Sequence, residues 1–70
     1  PSILDDLGLP AALDWLSARQ SALSGLPVEA STAPGMPRLD RTIEIAAYRI
    51  AQEAIGNALR HSGARAVRVH

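Results

Sequence analysis

Arg49-Ile50-Ala51-Gln52-Glu53-Ala54-Ile55-Gly56-Asn57-Ala58-Leu59-Arg60-His61-Ser62-Gly63 reads as a helix with its stop signal, and the other elements are placed by reference to it. At 100° per residue Glu53, Asn57 and His61 stand one above another on successive turns, with Arg60 beside them. One stripe therefore carries a carboxylate, an amide, an imidazole and a guanidinium. A helix built only to fill a core would not spend a face on such groups.

Upstream, Asp40 is a good N-cap for this long helix, and Glu44 complements the positive pole of the backbone dipole. Ile43, Ala46, Ala47, Ile50, Ala54 and Ala58 form one apolar face. Ile45, Tyr48, Ile55 and Leu59 form a second, so much of the helix is expected to be covered. Ser62-Gly63 stops it, glycine suiting the left-handed residue after a last turn. Beyond it Ala66, Val67, Arg68, Val69 and His70 alternate as a strand does with one face on a core.

The first part of the chain is read in the same way. Ser2 followed by Asp5 fits an N-cap with an early acid, giving a single turn from Ile3 to Leu7 that Gly8 ends. Leu9, Ala12, Leu13, Leu16, Gln20 and Leu23 follow helical spacing, which predicts an amphipathic helix from Pro10 to Leu23 closed by Gly25 and Pro27. Pro27-Val28-Glu29-Ala30-Ser31 alternates as an edge strand, and 31–37, made of Ser, Thr, Ala, Gly and Met with prolines at 34 and 37, is a loop. Helix, strand, helix, strand implies an α/β layer with helices against one face of a sheet. No internal repeat or low-complexity tract interrupts it.

Seventy residues with no cysteine allow one small domain without disulfide or thiolate-metal support, and the only aromatic residues are Trp15 and Tyr48. So thin a core suggests a piece of a larger domain. The formal charge is zero, which gives no support for a general nucleic-acid or membrane-surface binder. Residues 1–37 are acidic, with four acids against Arg19, while 38–70 hold six Arg against three acids. Every basic residue is Arg and none is Lys, which favours planar, multi-donor contacts with carboxylate or phosphate. No apolar run approaches the roughly 18 to 20 residues that a membrane-crossing helix needs, and the start lacks the pattern of a signal peptide. The expected location is cytoplasmic.

The run Tyr48-Arg49-Ile50-Ala51-Gln52-Glu53-Ala54, continuing through Asn57-Ala58-Leu59-Arg60-His61, resembles the N-box of bacterial two-component sensor histidine kinases of the nitrate/nitrite-sensor-like branch. Leu4-Asp5-Asp6-Leu7-Gly8-Leu9 with Ala12-Leu13 resembles the start of the ATP-binding domain of that family, just after its dimerisation hairpin. Between about Ser17 and Arg38 the likeness is one of pattern only. The resemblance implies that 1–70 is a single partial domain, the N-terminal portion of a histidine kinase ATP-binding domain. It further implies a two-layer α/β sandwich of the type shared with topoisomerase II and the ninety-kilodalton heat-shock chaperone.

Carried over by position, the resemblance makes Asn57 a ligand of the magnesium ion that bridges the phosphates of ATP, and Glu53 the candidate catalytic residue. Arg60 would contact phosphate, and His61 would stand at the same end of the nucleotide. Hard oxygen ligands and retained waters are what magnesium favours. His61 is followed by Ser62 and not by the acidic neighbour of the family's phosphoacceptor, which lies in the upstream hairpin, and His70 is the last of these residues. The Asp-x-Gly-x-Gly box that reads adenine and the later Gly-rich lid are also absent from these 70 residues. The parent is thus expected to be a homodimeric kinase that autophosphorylates a histidine and passes the phosphoryl group to a response regulator in a phosphorelay. The 70 residues alone are expected to be inactive.

Each of these residues also has a plainer reading. Glu and Asn four apart occur on many solvated helix faces, and Arg60 and His61 both gain from a helix C-terminus. Arg49 and Gln52 read as surface groups, and Trp15 and Tyr48 as packing residues with polar tips at the boundary. Gly56 costs about 1 kcal/mol relative to Ala inside a helix, which leaves room for close approach or neutral variation. Two rival functions follow: an anti-sigma-type serine kinase of the same fold, or a non-enzymatic helical interaction module.

Overall fold

The computed structural model describes residues 2–61 and 67–69, with side chains described for 3–60 and 67–69. The elements are α1 (Ser2–Leu7), α2 (Leu9–Ser24), β1 (Val28–Ala30), α3 (Arg41–His61) and β2 (Val67–Val69). The Ser2 side chain, the Ser62-Gly63 stop and the two ends of the strand expected over 66–70 lie outside the described residues.

β1 and β2 pair in parallel, with Val28 opposite Val67, Glu29 opposite Arg68 and Ala30 opposite Val69. Parallel neighbours need a long crossover, and α3 supplies it. Alternation along the strands buries Val28, Ala30 and Val67 among the helices and leaves Glu29 and Arg68 exposed, their side chains 3.7 Å apart. The α/β layer expected from the element order is therefore present, with helices on one face of a short sheet.

The outer edge of β1 is closed by α2. Val28 N–H donates to Ser21 Oγ at 2.9 Å, and Ala30 N–H donates to Ser17 Oγ at 2.9 Å. These amides point away from β2, and in a larger sheet another strand would accept them. Two hydroxyls one turn apart on α2 replace that strand, so β1 ends the sheet on this side. Ser17 also donates to Leu13 C=O at 2.7 Å, which satisfies its own proton within the helix.

α1 and α2 meet at Gly8, whose N–H donates to Leu4 C=O at 3.1 Å and whose C=O receives Ala12 N–H at 3.1 Å. One residue ends the first helix and begins the second. Its φ of 93° is one that side chains disfavour, and a Cβ there would stand 3.0 Å from Cδ of Arg38. At the far end of α2, Gly25 takes the left-handed conformation and donates to Ser21 C=O, as the closing signal implied.

Leu4, Leu9, Leu13, Leu16, Tyr48 and Ile55 dominate the core. Leu16 and Ile55 are each 1% exposed, and burying such side chains contributes roughly 1.5 to 3 kcal/mol apiece. The helix starts match the expectation closely, with Pro10 in the first turn of α2 and Asp40 accepting Thr42 N–H at 3.2 Å.

Three details differ from the sequence reading. Of the two apolar faces on α3, that of Ile45, Tyr48, Ile55 and Leu59 packs, while the other packs only through Ala47 and Ala58; Ile43 is 54% exposed and Ile50 70%, with Ala46 and Ala54 exposed between them. α1, α2 and β2 reach α3 from one side, so Ile43 and Ile50 stay uncovered among the described residues. Leu23 is exposed because the packed stripe of α2 ends at Leu16. Glu44 stands in the first turn of α3, as a dipole complement is expected to, but its burial at 3% exposure is not part of that expectation. Its carboxylate accepts Leu39 N–H and Arg38 Nη2, each at 3.3 Å.

Candidate functional site

Glu44 anchors the start of the helix that carries the candidate groups. Arg38 reaches from Glu44 across Gly8 to donate to Asp5 C=O at 3.3 Å, one of the carbonyls left without an intrahelical partner at the end of α1. Asp5 in turn receives Arg41 through both oxygens, at 2.9 and 3.4 Å. Two arginines therefore tie α1 to the first turn of α3, and the burial of Ile45, Tyr48, Ala51 and Ile55 fixes the helix's rotation about its axis. Sequence reasoning missed this tether, since neither partner of Arg38 is near it on a helical or strand repeat.

With that rotation, Glu53, Asn57 and Arg60 are all exposed and lie on the side of α3 away from its packed stripe. Arg60 Nη2 donates to Asn57 Oδ1 at 2.8 Å, and its guanidinium folds over Gly56, where a Cβ would meet Nη1 at 3.2 Å. The missing side chain at Gly56 is thus used, and what it admits is Arg60. Glu53, Gly56 and Arg60 line an open cleft of about 440 Å³ together with Gln52 and, from α2, Gln20. Asn57 borders Arg60 at its edge. His61 is the last residue of α3, and its side chain lies outside those described.

The arrangement offers one carboxylate, one amide oxygen and one guanidinium on the exposed side of α3. Among the described residues no three His, Cys, Asp or Glu side chains converge as a metal cage would require. This donor set fits magnesium that keeps its waters and is held chiefly by phosphate oxygens, and it does not fit a metal held by protein alone. Arg60 suits a phosphate, which its planar fork can take in place of the Asn57 oxygen.

A second, larger hollow of about 570 Å³ runs between α2 and α3. Leu16 and Tyr48 are in its floor, with Trp15 and Arg19 on one bank and Arg41 and Arg49 on the other. Arg19 lies over the Trp15 ring, 5.5 Å from its centroid, which accounts for an indole that is 42% exposed where packing was expected. The i, i+4 spacing of Trp15 with Arg19 and the eight-residue spacing of Arg41 with Arg49 were the signals that the sequence held for this feature.

No family model matches the chain, and no solved structure matches it significantly. Among curated proteins it is 39% identical over 64 residues to the sensor histidine kinase MctS of Rhizobium johnstonii, covering 91% of this chain and 14% of that protein. It is 40% identical over 62 residues to the oxygen sensor histidine kinase NreB of Staphylococcus carnosus, covering 89% of this chain and 18% of that protein. The resemblance to sensor histidine kinases is therefore borne out along nearly the whole chain, which spans less than a fifth of the length of either relative. No helix among the described residues is long and apolar enough to cross a membrane.

Proposed function

We propose that these residues are the N-terminal portion of the ATP-binding domain of a sensor histidine kinase, and that α3 forms the phosphate end of its magnesium-nucleotide site. The observation that carries this reading is the solvent-facing stripe of Glu53, Asn57 and Arg60 beside an open cleft, on a chain about 40% identical to sensor histidine kinases. Further strands and helices of a two-layer sandwich would cover Ile43 and Ile50 and supply the adenine pocket.

In the parent, the γ-phosphoryl group of ATP would pass to a histidine of the upstream dimerisation hairpin, and then to an aspartate of a response regulator. Phosphoryl transfer is governed mainly by positioning and by neutralisation of charge. Arg60 would take a phosphate oxygen in place of Asn57 Oδ1, and the amide oxygen of Asn57 would then hold a hydrated magnesium ion. Magnesium, when bound, neutralises charge shared between neighbouring phosphates. Glu53, one turn before Asn57, orients the accepting group by taking a hydrogen bond from it. The homodimeric parent brings the hairpin histidine to this site, while α1, next to the hairpin in sequence, is held to α3 by Arg38 and Arg41.

The test is magnesium-dependent nucleotide binding by the complete domain. Asn57→Ala is expected to abolish the magnesium dependence while leaving the circular dichroism spectrum unchanged. Magnesium-dependent binding that survives this substitution undiminished would overturn the assignment. Identification of the phosphorylated residue of the parent as serine would replace the histidine kinase reading with that of the anti-sigma-type kinase.

A further inference from the structure

The hollow between α2 and α3 is not used by the nucleotide reading, and its composition is distinctive. Its banks carry three guanidiniums, Arg19, Arg41 and Arg49, against one carboxylate, Asp5, which Arg41 already engages. Arg49 makes no hydrogen bond or ion pair among the described residues, and Arg19 is held only by the face of Trp15. The floor is apolar, with Leu4, Leu16, Ile45 and Tyr48. Along α3 the lining runs from Arg41 to Gln52, which at 1.5 Å per residue is about 16 Å, or three helical turns.

We propose that this groove docks an acidic, amphipathic helical segment of a partner protein, with its apolar face on the floor and its carboxylates on Arg19 and Arg49. Charge complementarity selects the occupant. Two cations without a carboxylate partner flank an apolar strip, and a helix with Leu on one side and Glu beside it satisfies both at once. Guanidinium forks favour carboxylates held at fixed spacing, which a helix presents every three or four residues. A polyphosphate would satisfy the arginines and leave the apolar floor uncovered. The groove shares Gln20 and Gln52 with the cleft in front of Glu53, so an occupant would lie beside the nucleotide site without filling it.

Trp15 is the only tryptophan and stands in the bank of the groove, so its emission reports occupancy directly. The 70-residue chain is titrated with a synthetic helical peptide carrying Glu and Leu on adjacent faces, and with the same peptide carrying Gln for Glu. A saturable emission change is expected with the acidic peptide, weakened about tenfold in the Gln version and reduced further at higher salt. Arg49→Ala should weaken binding about fivefold, as loss of one partly exposed ion pair does, and Arg49→Glu should abolish it. Asn57→Ala should leave the titration unchanged, which separates this groove from the nucleotide reading. The proposal is overturned if both peptides bind equally, if neither changes the emission, if Arg49→Glu has no effect, or if inorganic phosphate or magnesium-ATP saturates the signal and expels the peptide.

Discussion

Arg60 donates from Nη2 to Oδ1 of Asn57 at 2.8 Å, one turn apart on the exposed side of α3. The only side-chain oxygen of Asn57, the atom suited to a hard cation, is thereby engaged by a cation of the same helix. An exposed i, i+3 contact of this kind adds roughly a few tenths of a kcal/mol to stability, so it matters chiefly for the nucleotide site proposed above. A phosphate that draws Arg60 away exposes the oxygen, and the two events are linked by one hydrogen bond.

Gly56→Ala tests that link. Replacing glycine in a helix interior adds about 1 kcal/mol of helix stability, while the new Cβ would stand 3.2 Å from Arg60 Nη1. The neighbour is the flexible end of a side chain, so the expected outcome is a higher urea midpoint together with a displaced Arg60. Loss of the Asn57 side-chain amide shift change on Arg60→Ala, when made in the Gly56→Ala background, would confirm that the contact had already been broken.

Glu44→Ala should destabilise the chain by about 2 kcal/mol, since it removes the acceptor of Leu39 N–H and the partner of Arg38 at a site that is 3% exposed. Arg38 can return to water, which keeps the loss below that of a fully buried pair. Chemical denaturation measures it, and a change under about 0.5 kcal/mol would show that the tether from α1 to α3 is dispensable.

Ser17→Ala and Ser21→Ala each leave a β1 amide without its acceptor and should cost about 1 to 2 kcal/mol. The informative measurement is residue-specific hydrogen exchange. Ala30 should lose protection in the first variant and Val28 in the second, with little change at the opposite amide.

ATP should bind the 70-residue chain with a dissociation constant above about 1 mM, corresponding to under roughly 4 kcal/mol, because the cleft at Glu53 is open and offers no enclosed base pocket. Calorimetry showing tight, stoichiometric binding would contradict this. In the complete parent, Glu53→Gln should slow autophosphorylation more than it weakens nucleotide binding. Equal losses in both would remove the role proposed for its carboxylate.

Much of the fold was legible because its signals are local. Pro10, Gly8, Gly25 and Asp40 mark helix boundaries by backbone chemistry that does not depend on distant neighbours, and all four act where the sequence places them. The exposed stripe of Glu53, Asn57 and Arg60 was legible for the same reason, as helical spacing alone puts those groups on one side. What spacing could not supply was which of two apolar faces on α3 would be covered. That depends on how many elements are present to pack, and Ile50 is as apolar as the buried Ile55.

The sequence by itself determined the order of helices and strands, the helix boundaries at Gly8, Pro10, Gly25 and Asp40, and the side of α3 that carries polar chemistry, because capping, proline and glycine constraints and the helical repeat act within a few residues. Only the tertiary structure decided that Arg38 bridges Asp5 and Glu44, that Ser17 and Ser21 close the edge of β1, and that arginines from two helices form the banks of one groove. Those contacts join residues that are close only after the core of Leu16, Tyr48 and Ile55 has formed. Their energy depends on distance in space, which no spacing along the chain encodes.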